Sequence, residues 1–470
     1  MKWFIGVLVL LVAALFLESG LLAYATYVLI GLLVLSRWLA RSWIGGLSAT
    51  RACSPVSRGD GRTRDADEPP DPEGQAHGLT ADVGERVAVR LTVRNGGWLP
   101  VPWVLLEDVL PNRVLDKRFP RLKIKGKRLH VGMARPGGTT EMKYQVEFLT
   151  RGYYQLGPLV LEGGDLFGLH RRYRVETVPV FVLVYPRIVP LIGYDLASRR
   201  PIGDVRLTHR LYEDPTRVAG VRRYEAGDPL SRVHWKATAR TGALHSKVHE
   251  PSTLSGATVI LDFHQSGYHA RGEPWRSELA VTGAVSLANA VYEMGQQVGL
   301  VTNARDAADR IKTEGWQVDP RTRQAARAAA AENETSERLQ PLVVETRRGV
   351  EQLQRIRETL ARCELTDGLT FAELVVETAH RVPRDATVIA VLPEVTVEAA
   401  IALGNLRRRG LAVTVILVMM DDDGLERAYG RLVAEGLRDL RHLPNEEALP
   451  ELCRNQVQRA TPYDFAGLGL

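Results

Sequence analysis

A multi-domain α/β plus β architecture is predicted: a transmembrane helical hairpin, then a β-sandwich domain, then a doubly wound α/β domain. Three observations predict it. Two apolar runs open the chain, alternating apolar and polar residues follow in short segments, and from residue 257 apolar strands alternate with helices. At 470 residues the chain is too long for one compact core. The expected divisions are 1–40 hairpin, 41–79 flexible linker, 80–190 β-sandwich-like domain, 191–254 basic segment, 255–450 α/β domain and 451–470 tail.

The hairpin comes first. Residues 3–17 and 21–35 are apolar, and Glu18, Ser19 and Gly20 make a polar break between them. Each run is short of the roughly 20 residues that cross a bilayer core, so flanking residues must extend both. Lys2 precedes the pair, and Arg37, Arg41 and Arg51 follow it. Basic flanks stay on the cytoplasmic side, which puts both ends and the soluble part in the cytoplasm at the inner membrane. Trp3, Trp38 and Trp43 suit interfacial anchors. The rival is a signal peptide cleaved near Ala23-Tyr24-Ala25, but cleavage there leaves YVLIGLLVL at the mature end.

Residues 51–78 are rich in Pro, Gly, Asp and Arg and read as a tether. Beyond them Val87, Val89, Leu91 and Val93 alternate with polar or small residues, the pattern of a half-buried strand, and Asn95-Gly96-Gly97 turns the chain. Further strands are expected at 103–110, 142–148, 153–161 and 180–185. Short strands with regular turns suggest a sandwich.

The α/β half follows. Strands are expected at 257–263, 298–302, 387–392 and 411–419, with helices at 277–296 and 396–409. Apolar strands alternating with helices imply a parallel sheet covered on both faces. Ligands in such sheets sit beyond the carboxyl ends of the strands, which singles out Asp262, His264, Gln265 and Ser266, and Pro393 and Glu394. Residues 304–345 are charged and Ala-rich, as an exposed helix or a partly disordered insertion would be.

Charge is uneven. Residues 199–250 hold eleven Lys or Arg, six Asp or Glu and four of the eleven His, against a net +6 for the whole chain. A basic segment meets an acidic partner, anionic lipid or nucleic acid, or is simply solvated. Three scattered cysteines, Cys53, Cys363 and Cys453, make neither a disulfide framework nor a zinc pattern.

The segment 220–250, GVRRYEAGDPLSRVHWKATARTGALHSKVHE, closely resembles the signature of the bacterial domain-of-unknown-function 58 family, R-x-Y-x-x-G-D-x-x-R-x-I-H-W-K-x-T-A-R-x-G-x-L-x-x-K. The matches fall on Arg222 or Arg223, Tyr224, Gly227, Asp228, Arg232, His234, Trp235, Lys236, Thr238, Ala239, Arg240, Gly242, Leu244 and Lys247. A second stretch, RGYYQLGPLVLEGGDLFGL at 151–169, is similar to another family motif, with Leu166 where Pro is usual. The resemblance implies a membrane-anchored protein with a von Willebrand A-like α/β domain. It further implies partnership with a MoxR-type AAA+ ATPase in an assembly or maturation role, near von Willebrand A or transglutaminase-like proteins.

The same resemblance implies a degenerate metal site. The von Willebrand A pattern Asp-x-Ser-x-Ser reads Asp262-Phe263-His264-Gln265-Ser266 here, Thr370 stands for the Thr ligand, and Glu394 lies where Asp is expected. Mg²⁺ is the ion such oxygens would take. No cofactor is expected.

In the signature, Asp228, His234, Lys236 and His245 invite a catalytic reading, but no Gly-flanked Ser or reactive Cys stands near them. A structural reading has Gly227-Asp228 forming a turn, with Trp235 packing the segment onto the body. A docking reading makes Arg232, His234, Lys236, Arg240 and Lys247 a basic patch for an acidic partner, with Tyr224, Gly227, Asp228 and Trp235 as its framework. The expectation is a scaffold or adaptor rather than an enzyme. The alternatives are a nucleic-acid or phosphate binder at the membrane, and a cell-envelope hydrolase-associated factor with a metal-dependent adhesion-like site. No recognised nucleic-acid module appears, so nucleic acid is not the expected partner.

Overall fold

A computed structural model describes residues 2–56, 79–111, 119–165, 170–192, 213–224, 233–251, 256–269, 271–309, 340–383 and 386–454. The chain forms two compact units. The first comprises Met1–Arg187, Asp306–Thr335 and Leu360–Cys363, and the second Ile188–Arg305, Ser336–Thr359 and Glu364–Leu470.

The first unit opens with helices α1 (Lys2–Phe16) and α2 (Gly20–Gly45), which pack together. The break between them falls at the polar residues, with Glu18 at φ 41°. The two helices are unequal. At 15 residues α1 rises about 22 Å, and α2 is the described helix long and apolar enough to cross a bilayer. Leu21, Tyr24, Tyr27, Val28, Val34 and Leu35 leave its first part bare. From Ser36 onward its character changes, and Ser36, Ala40, Trp43 and Ile44 are buried.

Eleven strands follow the helices within the Met1–Arg187 part of the unit. They are β1 (Leu47–Val56), β2 (Leu79–Asp82), β3 (Arg86–Asn95), β4 (Val101–Asp108), β5 (Leu122–Gly126), β6 (Leu129–Ala134), β7 (Thr139–Phe148), β8 (Gly152–Leu156), β9 (Leu159–Gly164), β10 (Arg171–Val175) and β11 (Val180–Tyr185). They form sheets β1-β3-β7-β5, β10-β9-β4-β6 and β2-β11-β8. The period-two pattern decides the packing. Val87, Val89, Leu91 and Val93 of β3 and Met142, Tyr144, Val146 and Phe148 of β7 share one core with Val104, Leu106, Leu159 and Leu161 of the second sheet. Asn95 ends β3 as expected of a turn. Its amide donates to the Leu99 and Ala134 carbonyls at 2.9 and 3.1 Å, and its oxygen accepts from the Gly97 N–H.

Four expectations are corrected in this unit. The linker assigned to 41–79 begins too early: α2 runs to Gly45, and residues 47–56 pair with β3 along the whole of β1. A polar strand with alternating small residues at a sheet edge lacks the bulk that marks a strand in sequence; residues 57–78 lie outside the described residues. Trp43 is buried, not interfacial. Arg51 is not a free juxtamembrane charge, because its guanidinium is ion-paired to Asp108 in the core. The strand expected at 153–161 is two strands, β8 and β9, divided at Gly157-Pro158.

Gly163 of β9 lies where α2 meets the sheet. A Cβ at Gly163 would come within 3.1 Å of Ile44 Cδ1, so a side chain there would push the Ile44 side chain aside by a few tenths of an ångström. Arg174 then caps the helix end, donating to the Ile44, Gly45 and Leu47 carbonyls at 3.2–3.4 Å. Cys53 lies beside the Arg51–Asp108 pair. Burial pushes its thiol up to about 11, with Arg51 lowering it and Asp108 raising it. A thiol so placed stays protonated and unreactive near neutral pH.

The second unit contains the paired strands β12 (Glu213–Arg223) and β13 (His245–Pro251), with α3 (Trp235–Thr241) between them. Its main sheet uses β14 (Gly256–Leu261), β15 (Gln297–Thr302), β16 (Leu342–Arg347), β17 (Ala386–Leu392), β18 (Val413–Val418) and β19 (Leu440–Leu443) in the order β16-β15-β14-β17-β18-β19. Every pairing is parallel except β15 with β16. Its helices are α4 (Trp275–Glu293), α5 (Val350–Arg362), α6 (Phe371–Thr378), α7 (Val397–Arg408) and α8 (Asp422–Ala434). β14 and β17 are buried at every position, as strands covered on both faces must be. The charged segment expected at 304–345 largely lies outside the described residues, but its end is the antiparallel edge strand β16 rather than helix.

Candidate functional site

Strand order reverses between β14 and β17, and the loops after these two strands meet at the carboxyl edge of the sheet, where an open α/β sheet takes its ligands. Asp262 follows β14. Its buried carboxylate accepts from the His264 N–H at 3.1 Å and from the Asn303 amide at 3.0 Å. Asn303, at the end of β15, also donates to the Leu369 carbonyl at 2.8 Å and accepts from the Phe263 N–H at 2.6 Å. One amide therefore ties three loops together. Burial raises the pKa of Asp262, the Asn303 and His264 hydrogen bonds oppose the rise, and the nearby Glu394 carboxylate adds to it.

The three oxygens proposed for Mg²⁺ are engaged elsewhere. Ser266 Oγ bonds His264 Nδ1 at 2.7 Å. Thr370 is the N-cap of α6, and its hydroxyl is shared with Glu373 in a capping box. The Gly267 backbone sits against Pro393, whose Cγ would lie 2.7 Å from a Cβ at that position, so the two loops close on each other. Among the described residues no group of three His, Cys, Asp or Glu is arranged to hold a metal. The Asp262, Ser266 and Thr370 oxygens are thus each held in hydrogen bonds to the protein itself. Asn303 was not singled out in the sequence, because an asparagine after an apolar strand reads only as a turn residue.

The signature segment separates into two kinds of residue. Some build a short capped helix. His234 is the N-cap of α3, its Nδ1 accepting from the Ala237 N–H at 3.0 Å. Thr238 Oγ1 accepts from the His245 N–H at 3.1 Å. Gly242 closes the helix at φ 70°, the left-handed conformation that favours glycine, and returns its N–H to the Thr238 carbonyl. Tyr224 N–H bonds the Leu244 carbonyl, and Val233 and Ser246 are buried where they bridge.

The others face outward. Trp235 is 69% exposed, so the expectation that it packs the segment onto the body is corrected: Val233 supplies the buried contact, and the first helical position carries the indole away from it. Lys236 and Arg240 are exposed one helical turn apart, Leu244 and Val221 are exposed beside the strand ends, and Lys247 is half-buried. Gly227, Asp228 and Arg232 lie outside the described residues. His234 and His245 both use a ring nitrogen on local structure, since His245 Nδ1 meets the Ala243 carbonyl and Thr241 Oγ1 at 2.8 and 3.1 Å.

Comparison with known proteins points to the same segment. Residues 220–356 match the family model described as "Protein of unknown function DUF58". The chain is 24% identical over 224 residues to the uncharacterized protein YeaD of Bacillus subtilis (strain 168), covering 47% of this chain and 53% of YeaD. It thus spans about half the length of that curated relative. Likenesses to solved structures are slight. The mussel byssus proximal thread matrix protein 1 gives 10% identity over 42% of this chain and 46% of that one, with a TM-score of 0.28. The PapD-like domain of human CEP192 gives 13% identity over 22% and 75%, with a TM-score of 0.15. Neither score carries an argument about fold. On its family model and its relative, residues 220–356 match the DUF58 family of proteins of unknown function, and the chain is similar to a member of it over about half its length.

Proposed function

We propose that this protein is a membrane-anchored, non-catalytic adaptor whose α3 face docks an acidic partner surface, the partner implied by the family resemblance being a MoxR-type AAA+ ATPase. The observation that carries the reading is the exposed Trp235 beside exposed Lys236 and Arg240. A large apolar ring held in water on a capped helix is costly unless something covers it, and aromatic residues flanked by cations dominate protein interfaces. Ring nitrogens of His234 and His245 engaged in local bonds support a structural role over proton transfer.

The finer architecture belongs to the same reading. The strand order with an antiparallel edge supports a von Willebrand A-like domain, and two sheets sharing one core support a sandwich. The bare first part of α2, its pairing with α1 and the basic residues Arg37 and Arg41 support a hairpin anchor with the body in the cytoplasm.

The test uses the full chain and a MoxR-type ATPase from the same host. Trp235→Ala and Lys236→Glu are both expected to fold, with stability changes within about 0.5 kcal/mol because both side chains are exposed. Both are expected to lose the ATPase in pull-downs, the lysine variant through slower association. If both variants capture the partner as well as the parent chain, or either melts far below it, docking through α3 is wrong. No resident metal is part of this reading, and calorimetric titration with Mg²⁺ is expected to show no binding tighter than about 10 μM.

A further inference from the structure

At Ser36 helix α2 passes from a bare apolar rod to a helix docked on β9 and β10. Ser36 Oγ meets His170 Nδ1 at 2.8 Å, which brings the start of β10 to that same level of the helix. Three guanidiniums gather there. Arg37 and Arg41 are exposed one turn apart on α2, and Arg172 stands on β10. The pKa of Arg172 is lowered, by burial first and then by the like charges of Arg41 and Arg37. Their neighbours are neutralised: Arg171 pairs with Glu162 at 3.6 Å, and Arg174 pairs with Glu176. Among the described residues Arg37, Arg41 and Arg172 have no carboxylate partner.

A second observation marks the same level. Trp38 on α2 and Trp98 on the β3–β4 turn meet edge to face, with centroids 6.5 Å apart, yet remain 49% and 74% exposed. Trp98 comes from a loop tip of the β-rich body, so it is not there as part of an apolar helix. Indoles concentrate where hydrocarbon meets headgroups. The apolar stretch 20–35 rises about 24 Å, which brings its end to that boundary if its start lies near the opposite face.

We propose that Arg37, Arg41 and Arg172 form a binding site for the phosphate of an anionic phospholipid, with Trp38 and Trp98 seated in the interface beside it. The site rests on the membrane reading above. Guanidiniums suit the ligand because they are permanently charged and bind phosphate oxygens in pairs. The headgroup supplies the countercharge that the protein lacks there, and its acyl chains lie along the bare face of α2. The β-rich body is thereby held against the membrane surface rather than hanging from a tether.

The test uses the full chain reconstituted in phosphatidylcholine vesicles with or without phosphatidylglycerol. Flotation with pure phosphatidylcholine vesicles reports anchoring alone. Headgroup preference is read by quenching of Trp38 and Trp98 with brominated phosphatidylglycerol against brominated phosphatidylcholine, with Trp98→Phe identifying the signal. The parent chain is expected to float in both lipids and to prefer phosphatidylglycerol. Each of Arg37→Gln, Arg41→Gln and Arg172→Gln is expected to reduce that preference about fivefold, and Arg172→Lys to keep part of it. A parent chain that floats without preference overturns the headgroup site and leaves the anchor standing. One that does not float overturns both. Displacement of the brominated lipid by soluble glycerol phosphate at similar concentration overturns the lipid assignment in favour of a free-phosphate site.

Discussion

Asp108→Asn is expected to destabilise the β-rich unit by about 3–5 kcal/mol, the cost of leaving one member of a buried ion pair alone. Arg51 and Asp108 have side chains 3% and 0% exposed. The carboxylate accepts from Arg51 and from the Tyr144 hydroxyl, and the guanidinium also reaches the Leu156 carbonyl and Thr177 Oγ1. Burial pushes Asp108 up from its ordinary value, while Arg51 and Tyr144 oppose the rise. An amide keeps the shape and one hydrogen bond but removes the charge that Arg51 needs. The double variant Arg51→Met/Asp108→Leu is expected to lose less than Asp108→Asn, because no uncompensated charge remains. Urea unfolding followed by a probe in this unit decides. A loss below about 1 kcal/mol for Asp108→Asn would show that water reaches the pair.

The consequence reaches the membrane. β1 begins two residues after α2 ends, so the strand that carries Arg51 is the connection between the apolar helix and the sheet. Locking Arg51 into the core, together with Arg174 on the helix end, fixes the body to α2 without the flexible segment that the composition suggests. Gly157 is part of the same arrangement. At φ 91° it sits where a Cβ would run into the Arg51 guanidinium, so the left-handed glycine makes room for the buried charge.

These features show where sequence reasoning reaches and where it stops. Alternation made β3 and β7 legible, because one face of each is buried and the pattern is local. The apolar strands β14, β17 and β18 were legible for a related reason, since both faces are covered. Arg51 was misread because a basic residue after an apolar helix looks like a topology signal, and its partner lies 57 positions away. Trp43 and Trp235 were exchanged in role: the one expected at the interface is buried, and the one expected in the core is exposed. A tryptophan's identity says that it covers area, not which surface it covers. The signature at 220–250 was plain as a pattern, yet its division into capping residues and outward residues needed the backbone. His234 looks catalytic in sequence and turns out to be an N-cap.

Asn303→Ala is the second large effect, expected to cost about 3 kcal/mol, since it strips hydrogen-bond partners from three buried groups at once. The Phe263 N–H, the Leu369 carbonyl and the Asp262 carboxylate all lose a partner. The deficit is expected to depend on pH. Burial already raises the folded pKa of Asp262, so the native state holds a proton more tightly than the unfolded chain. Stability gained from that proton is complete below the unfolded value of about 4 and is lost as pH rises through the folded value. Removing the Asn303 amide raises the folded value further. The variant should therefore fall furthest behind the parent chain above that raised value and least in acid, in melts of the full chain compared at pH 4 and pH 8. Equal deficits at both would show that Asp262 is neutral throughout, and that Asn303 acts through the two backbone bonds alone.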